Sequence, residues 1–363
     1  MKRRDFLRNA LGGMAGALAL PEERAREEGA LAGRAASFTG WAWVHGDRDR
    51  SRSDWEERLG RLREAGVTGV LVGGGQSELV PGVAQDLGMS FHRWTWIMNR
   101  NGDDWVQENH PEWFTVSRLG VSSLTEPPYV GYYKWLCPTR REVRDYLRAQ
   151  VERVADEPGV DGVHLDYIRH CDVILPRGLW ATYDLVQDRE LPPFDFCYCE
   201  ACREAFAQRD GRDPLAIPDP TEDEAWRSFR WDGITRVVED LAAAVHARDK
   251  ELSAAVFPTP AIARRLVRQA WDEWPVDRFF PMLYHSFYEE GIAWIGQGVR
   301  EGTDALKGTQ RELYAGLYLP ALGPEDLARA VGEARSGGAA GVSIFEMDAL
   351  TEAHRVALRT ALT

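Results

Sequence analysis

Short apolar runs alternate along the chain with longer stretches in which apolar residues recur every three or four positions. Runs of about four to eight residues are typical of strands buried on both faces, and the longer spacing is typical of amphipathic helices. Eight runs are predicted to be strands, at residues 40–44, 69–72, 90–97, 162–166, 252–257, 278–284, 313–319 and 341–347. Helical spacing separates most of them and is clearest at residues 54–66, 139–155, 233–250 and 324–338.

Eight β/α units predict an α/β protein with the (β/α)8 architecture of a TIM barrel, formed as one domain by residues 38–363. A doubly wound sheet would show the same alternation. The count of eight, and the lack of a glycine-rich phosphate fingerprint after the first strand, favour the barrel. About 65 residues separate strands three and four, and about 85 separate strands four and five, so long inserted loops are expected there. Such loops build the C-terminal rim of a barrel, where its active site lies.

The first 19 residues resemble a twin-arginine export signal. Arg3 and Arg4 precede an apolar run that is too short for a comfortable membrane span, and Ala17–Leu18–Ala19 provides a small-residue cleavage site. An uncleaved amphipathic helix is the alternative. Residues 20–37 are predicted to be a linker. The mature protein is expected in the periplasm or outside the cell. No other run approaches the roughly 18 apolar residues of a membrane span, so no membrane association is expected after cleavage.

The acidic charge narrows the choice of partner. The formal net charge is −13, and a protein that binds a phosphate backbone needs an excess of Lys and Arg. A nucleic-acid partner is therefore not expected. The number of subunits is not encoded in any pattern that we recognise.

Asp166 is the leading candidate for chemistry. In a strand at 162–166, His164 and Asp166 point to the same side and Asp166 reaches the C-terminal end. A carboxylate in such an apolar context is costly unless it is paired or used. The alternative is that Asp166 caps the following loop or pairs with Arg169.

Several segments resemble a known family. "DGVHLDYIR", "CYCEACREAF" and "RQAWDEWPVDRFFPMLYHSF" are similar to the glycosyl-hydrolase-like family 10 proteins, exported bacterial barrels, and the similarity extends over residues 38–350. It implies carbohydrate hydrolysis at the barrel rim, with Asp166 as the leading catalytic residue. The stretch around Asp166 is also similar to the nucleophile strand of α-amylase-type barrels. His164 stands where that pattern has Arg, so the amylase mechanism is not carried over.

Glycoside hydrolysis ordinarily needs a second carboxyl group. Strands five and six offer no acid at their ends, whereas strand eight is followed by Glu346 and Asp348, and strand one by Asp47. Glu346 directly follows an apolar run, as Asp166 does, and is the predicted partner. Asp47 and Asp348 are the alternatives.

Further polar and aromatic side chains fall at predicted strand ends. Sugar sites combine hydrogen-bonding groups with apolar platforms, so these residues are predicted to bind substrate, although packing in the core is the alternative for each tryptophan. Arg169 is expected to hold a nearby carboxylate. The predicted set is Trp43, His45, Asp47, Arg93, Trp96, His164, Arg169, Tyr284, His285 and Tyr318.

The leading hypothesis is an exported glycoside hydrolase that cleaves an oligo- or polysaccharide with Asp166 and Glu346 and requires no cofactor. A carbohydrate lyase is a second hypothesis, in which His164, Tyr284 or His285 would act as base. A third is a non-catalytic barrel that binds carbohydrate. A carboxylate facing Asp166 across a cleft would favour the hydrolase.

All five cysteines fall in the two long connections. Cys197, Cys199 and Cys202 could supply three thiolates to a structural zinc ion, with Cys137, Cys171 or His170 as the fourth ligand. An oxidising destination favours disulfides instead, and free thiols are the third interpretation. A thiol nucleophile is not expected, because no cysteine is paired with a specific base.

Overall fold

The computed structural model describes residues 38–75 and 78–363, so the predicted export signal at 1–19 and linker at 20–37 lie outside the described residues. Eight parallel strands close into a barrel in chain order, each paired with its neighbours and β8 with β1. The predicted TIM barrel is therefore confirmed. The strands are β1 (Thr39–His45), β2 (Val67–Gly73), β3 (Ser90–Trp96), β4 (Gly162–Asp166), β5 (Glu251–Val256), β6 (Arg278–Pro281), β7 (Glu312–Tyr318) and β8 (Gly341–Phe345).

Helices follow every strand and cover the outside of the barrel. Amphipathic sequence explains them: the first begins at the capping box of Ser51 and Asp54, and it buries Trp55, Leu59 and Leu62. The helices of the described residues are α1 (Arg52–Glu64), α2 (Leu79–Asp86), α3 (Asp104–Asn109), α4 (Arg141–Ala155), α5 (Glu200–Asp210), α6 (Glu224–His246), α7 (Pro260–Val267), α8 (Ala293–Ala305), α9 (Pro324–Gly337) and α10 (Glu352–Leu362). Among these helices, none combines the length and apolar character that crossing a membrane requires.

Large aromatic side chains fill the barrel interior. Trp41 and Trp43 of β1 pack with Trp94 of β3 and with aromatic rings of β6 and β7. The rings fit because β2 carries glycine beside them. A Cβ on Gly69 would lie 2.5 Å from the Trp41 indole, and one on Gly73 would lie 2.9 Å from the Trp94 indole. The interior is thus a packed core and not a channel.

A chain of polar groups crosses this core. The Trp43 Nε1 donates to His164 Nε2 at 3.1 Å, and His164 Nδ1 lies 2.9 Å from the Ser253 hydroxyl. His92 Nδ1 contacts the same hydroxyl at 2.8 Å, and its Nε2 lies 3.2 Å from Glu251. Because Nε2 of His164 accepts, its proton is on Nδ1 and the ring is neutral. Burial lowers the pKa of His164 well below its ordinary value.

The two long connections carry most of the irregular structure. Residues 97–140 join β3 to α4 and include α3, and residues 167–250 join β4 to β5 and include α5 and α6. Predicted strand boundaries agree with the observed ones within two residues, except at the end of β6. β6 ends at Pro281, so Tyr284 lies three residues beyond it in a turn. The proline at the strand end and the turn that follows explain the early end.

Candidate active site

Asp166 ends β4 and faces the mouth of the barrel, as the strand pattern predicts. The next residue, Tyr167, has a φ of 49°, in the left-handed region that non-glycine residues seldom adopt. Hydrogen bonds hold this turn: Ile97 N donates to the Asp166 carbonyl at 2.9 Å, and Met98 N donates to the Tyr167 carbonyl at 3.2 Å. The extension of β3 thus fixes the backbone on which Asp166 is mounted.

Two N–H groups fix the Asp166 carboxylate. The Trp94 indole donates to Oδ2 at 2.9 Å, and the Tyr167 backbone N–H donates to Oδ1 at 2.7 Å. Both bonds lower the pKa of Asp166, as does the charge of Arg169. Burial outweighs them, and the pKa of Asp166 is raised above the ordinary value. A carboxyl group in this environment binds a proton more readily than one in water.

Asp166 lies in a cleft of about 400 Å³, a volume in the range of small-molecule sites. Its walls are mostly aromatic. Trp96 is 36% exposed and Tyr132 is 40% exposed, so both rings stand at the entrance. The aromatic lining consists of Trp43, Trp94, Trp96, Tyr132, Tyr133, Tyr167, Tyr183, Phe257, Tyr284, Phe287, Tyr288 and Phe345. Apolar faces with phenol and indole donors at their edges suit the two sides of a sugar ring.

A more open groove of about 810 Å³ adjoins the cleft. The groove and the cleft share His45, Trp94 and Trp96, and the groove extends from them toward α3 and α4. A ligand longer than one ring could therefore continue from the cleft into the groove.

Glu346 directly follows β8 and is held by His45. The His45 Nε2 lies 2.7 Å from Glu346 Oε2, and His45 itself lines the cleft. Both carboxyl groups affect Tyr284. The pKa of Tyr284 is raised well above its ordinary value, first by burial and then by the charges of nearby groups that include Asp166 and Glu346. The carboxyl groups that follow β4 and β8 thus both raise the pKa of the Tyr284 phenol.

The other two acids considered as partners of Asp166 lie elsewhere. Asp47 pairs with Arg50 at 3.1 Å, and Asp348 forms an ion pair with Arg58 of α1. Both line a second surface depression beside α1, which meets the cleft at His45. Glu346 differs from Asp47 and Asp348 in that it forms an ion pair with His45.

The structure brings half of the twelve predicted catalytic and substrate-binding residues together. Trp43, His45, Trp96, Asp166, Arg169 and Tyr284 line the cleft. Glu346 adjoins it through His45, and Tyr318 packs against Tyr284 with 5.4 Å between ring centroids.

Three predicted substrate-binding residues point away from the cleft, in addition to Asp47. His164 is 0% exposed, one layer below Asp166 in the barrel core. Arg93 lies on the outer face of β3, where its Nη2 pairs with Glu157 at 2.7 Å, so it borders the groove and not the cleft. His285 is buried in the turn after β6, and burial lowers its pKa.

Arg169 holds a carboxylate, but the partner is Asp172. Its Nη1 lies 2.9 Å from Asp172 Oδ2, and its guanidinium lies over the rings of Trp135, Tyr167 and Phe257 at 4.8 to 5.2 Å. Both charged side chains are buried, and both line the cleft. This pair fixes the start of the long connection after β4.

Several lining residues escaped the sequence reasoning. Trp94, which donates to Asp166, is not among the residues predicted to bind substrate. Two features of the sequence could have pointed to other lining residues. One is the adjacent pair of aromatic residues Tyr132 and Tyr133 in a loop, and the other is the three-residue spacing of Arg169 and Asp172, which is typical of an ion pair.

The cysteines occupy two environments. Cys137, Cys197, Cys199 and Cys202 form one buried cluster in which the four sulfur atoms lie within 4.8 Å of one another. Cys171 is buried outside this cluster, and His170 is likewise not part of it. The sulfurs of Cys137 and Cys202 are 3.4 Å apart, so these two thiols are not joined as a disulfide.

Fold and cleft together define a (β/α)8 barrel with an aromatic cleft at the C-terminal ends of its strands. No protein-family model matches the sequence, and no curated protein matches it in sequence. Among solved structures, the glycoside hydrolase domain of PgaB (BpsB) from Bordetella bronchiseptica is similar, with a TM-score of 0.65 and 14% identity over 90% of this chain and 99% of that one. The catalytic domain of β-amylase from Paenibacillus polymyxa is similar with a TM-score of 0.59 and 11% identity, over 88% and 95% of the two chains. These likenesses show a shared fold.

Proposed function

We propose that this protein is a glycoside hydrolase, in line with its resemblance to the glycosyl-hydrolase-like family 10 proteins. The observation that carries the proposal is Asp166, a carboxyl group with a raised pKa at the strand end of an aromatic cleft. The fold that this chain shares with a glycoside hydrolase domain and a β-amylase domain is consistent with it. The substrate class is an oligo- or polysaccharide, because the cleft continues into the groove.

Asp166 is the proposed general acid. A raised pKa increases the fraction of Asp166 that carries a proton, which is passed to the glycosidic oxygen as the C–O bond breaks. Glu346 is the proposed second carboxyl group, which attacks the anomeric carbon or takes a proton from the attacking water. His45 positions Glu346 through their 2.7 Å contact.

The lyase hypothesis lacks a suitable base among the residues suggested for it. His164 is enclosed in the barrel core, and His285 does not line the cleft. Tyr284 does line it, but its raised pKa keeps the phenol protonated and makes it a poor base. Two carboxyl groups near one phenol therefore favour hydrolysis over elimination.

The test is hydrolysis of a panel of oligosaccharides and aryl glycosides by the purified chain and by two variants, Asp166→Asn and Glu346→Gln. Each variant should lower kcat by at least about a hundredfold, which is the usual contribution of general acid–base catalysis. Asp348→Asn is the matched control, because Asp348 lies two residues from Glu346 and pairs with Arg58 away from the cleft. It should retain activity.

Two outcomes would overturn parts of this proposal. Full activity in Asp166→Asn would exclude Asp166 as the acid. Tight binding of a sugar without any turnover would instead favour the non-catalytic barrel, for which the aromatic lining alone suffices. Melting temperatures of all variants separate loss of chemistry from loss of fold.

We also propose that residues 1–19 direct export by the twin-arginine route to the periplasm or beyond. The support is the Arg3–Arg4 pair ahead of the short apolar run. Changing both residues to lysine should retain the chain in the cytoplasmic fraction. Unchanged export of that variant would refute this route.

A further inference from the structure

Four cysteines from two distant parts of the chain meet at one buried point. Cys137 lies four residues before α4, in the connection after β3. Cys197 and Cys199 precede α5, and Cys202 lies in its first turn, all in the connection after β4. All four side chains are buried, with exposures of 0 to 5%. The convergence of four thiols within one 4.8 Å group needs an explanation, because hydrophobic packing does not select for sulfur.

The sulfur spacing matches one tetrahedral metal ion. Zinc binds thiolate sulfur at about 2.3 Å, so the edge of a tetrahedral zinc–sulfur site is about 3.8 Å. Cys137 Sγ lies 3.6 Å from Cys199 Sγ and 3.4 Å from Cys202 Sγ. A disulfide would require about 2.05 Å. The remaining sulfur pairs lie within 4.8 Å, so shifts of about 1 Å or less would bring all four sulfurs to the edges of one tetrahedral site.

The surroundings of the cluster suit thiolates. A zinc ion with four thiolates carries two negative charges, which need compensation. Cys199 is the N-cap of α5, so the positive end of the helix dipole is directed at the cluster. The Val116 backbone N–H donates to Cys197 Sγ at 3.4 Å, and the Thr139 hydroxyl lies 3.1 Å from Cys202 Sγ.

Basic side chains also gather near the cluster. Arg118, Arg140 and Arg203 line the surface depression that contains Cys199, together with two glutamates. Arg118 and Arg203 are paired with Asp195 and Asp213. The groups that directly oppose thiolate charge are therefore the Val116 N–H and the helix terminus.

We propose that Cys137, Cys197, Cys199 and Cys202 bind a structural Zn²⁺ ion. Four protein ligands close the coordination sphere, which is the mark of a structural and not a catalytic zinc. The ion clamps the connection after β3, which carries Tyr132 and Tyr133, to the connection after β4, which carries Asp172 and Tyr183. Both connections form walls of the cleft, so the zinc ion supports the cleft without touching the substrate.

The experiment uses the full chain, purified without a polyhistidine tag and without added metal. Elemental mass spectrometry should find about one zinc per chain, and a mercurial that blocks thiols should release it. Cys202→Ser should retain less than about a tenth of that zinc, since one of the four ligands is lost. Cys171→Ser is the matched control, because Cys171 is equally buried in the same connection but lies outside the cluster, and it should keep its zinc.

The wild-type metal content decides the matter even if a variant fails to fold. Zinc-free protein whose intact mass shows two disulfides would overturn the proposal in favour of oxidised pairs. Zinc-free protein with five alkylatable thiols would overturn it in favour of free cysteines. Another metal bound in place of zinc, or equal zinc loss in Cys171→Ser and Cys202→Ser, would also refute the assignment.

Discussion

The hydrogen bond from Trp94 to Asp166 gives a direct test of the role of Asp166. The Trp94 indole N–H donates to Oδ2 at 2.9 Å and so stabilises the ionised form of the carboxyl group. Trp94→Phe removes this donor while keeping an aromatic ring against Gly73. The pKa of Asp166 should therefore rise in the variant, and the protonated form should persist to higher pH.

The size of this effect follows from the bond. A hydrogen bond to a charged group contributes about 1.5–3 kcal/mol in general. Trp94 is 8% exposed at the edge of an open cleft, so water can partly replace the indole, and we take the low end. About 1.4 kcal/mol corresponds to a tenfold change in proton affinity, or roughly one pH unit.

The assay is the pH dependence of kcat/KM on a substrate that the wild-type protein cleaves. If Asp166 is the general acid, the limb on the alkaline side should move up by about one pH unit in Trp94→Phe. If Asp166 acts in its ionised form, the limb on the acid side should move up instead. Trp96→Phe is the control, because Trp96 lines the same cleft without a hydrogen bond to Asp166. Limbs that stay in place in Trp94→Phe, or that move equally in the control, would refute this account of Asp166.

Three further expectations concern stability and binding. Burial raises the pKa of Asp166 in the folded chain, so the free energy of unfolding of the wild-type protein should fall as the pH rises from about 3.8 through that raised pKa. Urea unfolding of Asp166→Asn should not show this fall, and a stability difference between the two proteins that stays constant from pH 3 to 7 would contradict the prediction. Asp172→Asn leaves Arg169 buried without its carboxylate and should lower the free energy of unfolding by about 3 kcal/mol. Asp326→Asn is the control, because Asp326 forms an exposed ion pair, and it should change the free energy of unfolding by less than about 1 kcal/mol. Trp96→Ala should raise KM about three- to tenfold, because it removes a ring face on which a sugar can stack. A clear fall in melting temperature in the same variant would point to a structural role for Trp96 instead.

The barrel was predictable because its signal is local and repeated. Every predicted strand coincides with an observed one, and the least accurate boundary was the end of β6. Asp166 was found for the same reason, since an acid that ends an apolar strand lies at the rim whatever the other strands do. Glu346 follows the same rule at β8.

The depth of a residue in the barrel was not predictable in this way. Alternation correctly put His164 on the same side as Asp166, but two residues along a strand correspond to about 6.6 Å, which takes a side chain from the rim into the packed core. Arg93 could have been excluded by the same alternation, because it lies between His92 and Trp94, whose side chains both point inward.

Contacts between distant segments were not predictable at all. The donor to Asp166 comes from β3, and its identity depends on the register in which Trp96 of β3 lies opposite Asp166. Likewise, the sequence offered Cys137, Cys171 and His170 equally as companions of the "CYCEAC" cysteines. The choice of Cys137 depends on how two connections pack against each other, and no local pattern encodes it.

The packing of the barrel and the chemistry proposed for its rim depend on the same side chains. Trp43 and Trp94 fill the upper interior and also line the cleft, so that Asp166 lies beside aromatic rings. Burial there raises the pKa of Asp166, while the indole N–H of Trp94 limits the rise. Gly73 leaves the space in which the Trp94 ring reaches this position. Residues that stabilise the fold therefore also set the proton affinity of the carboxyl group, and changes in the core should alter the pH dependence of the site before they unfold the barrel.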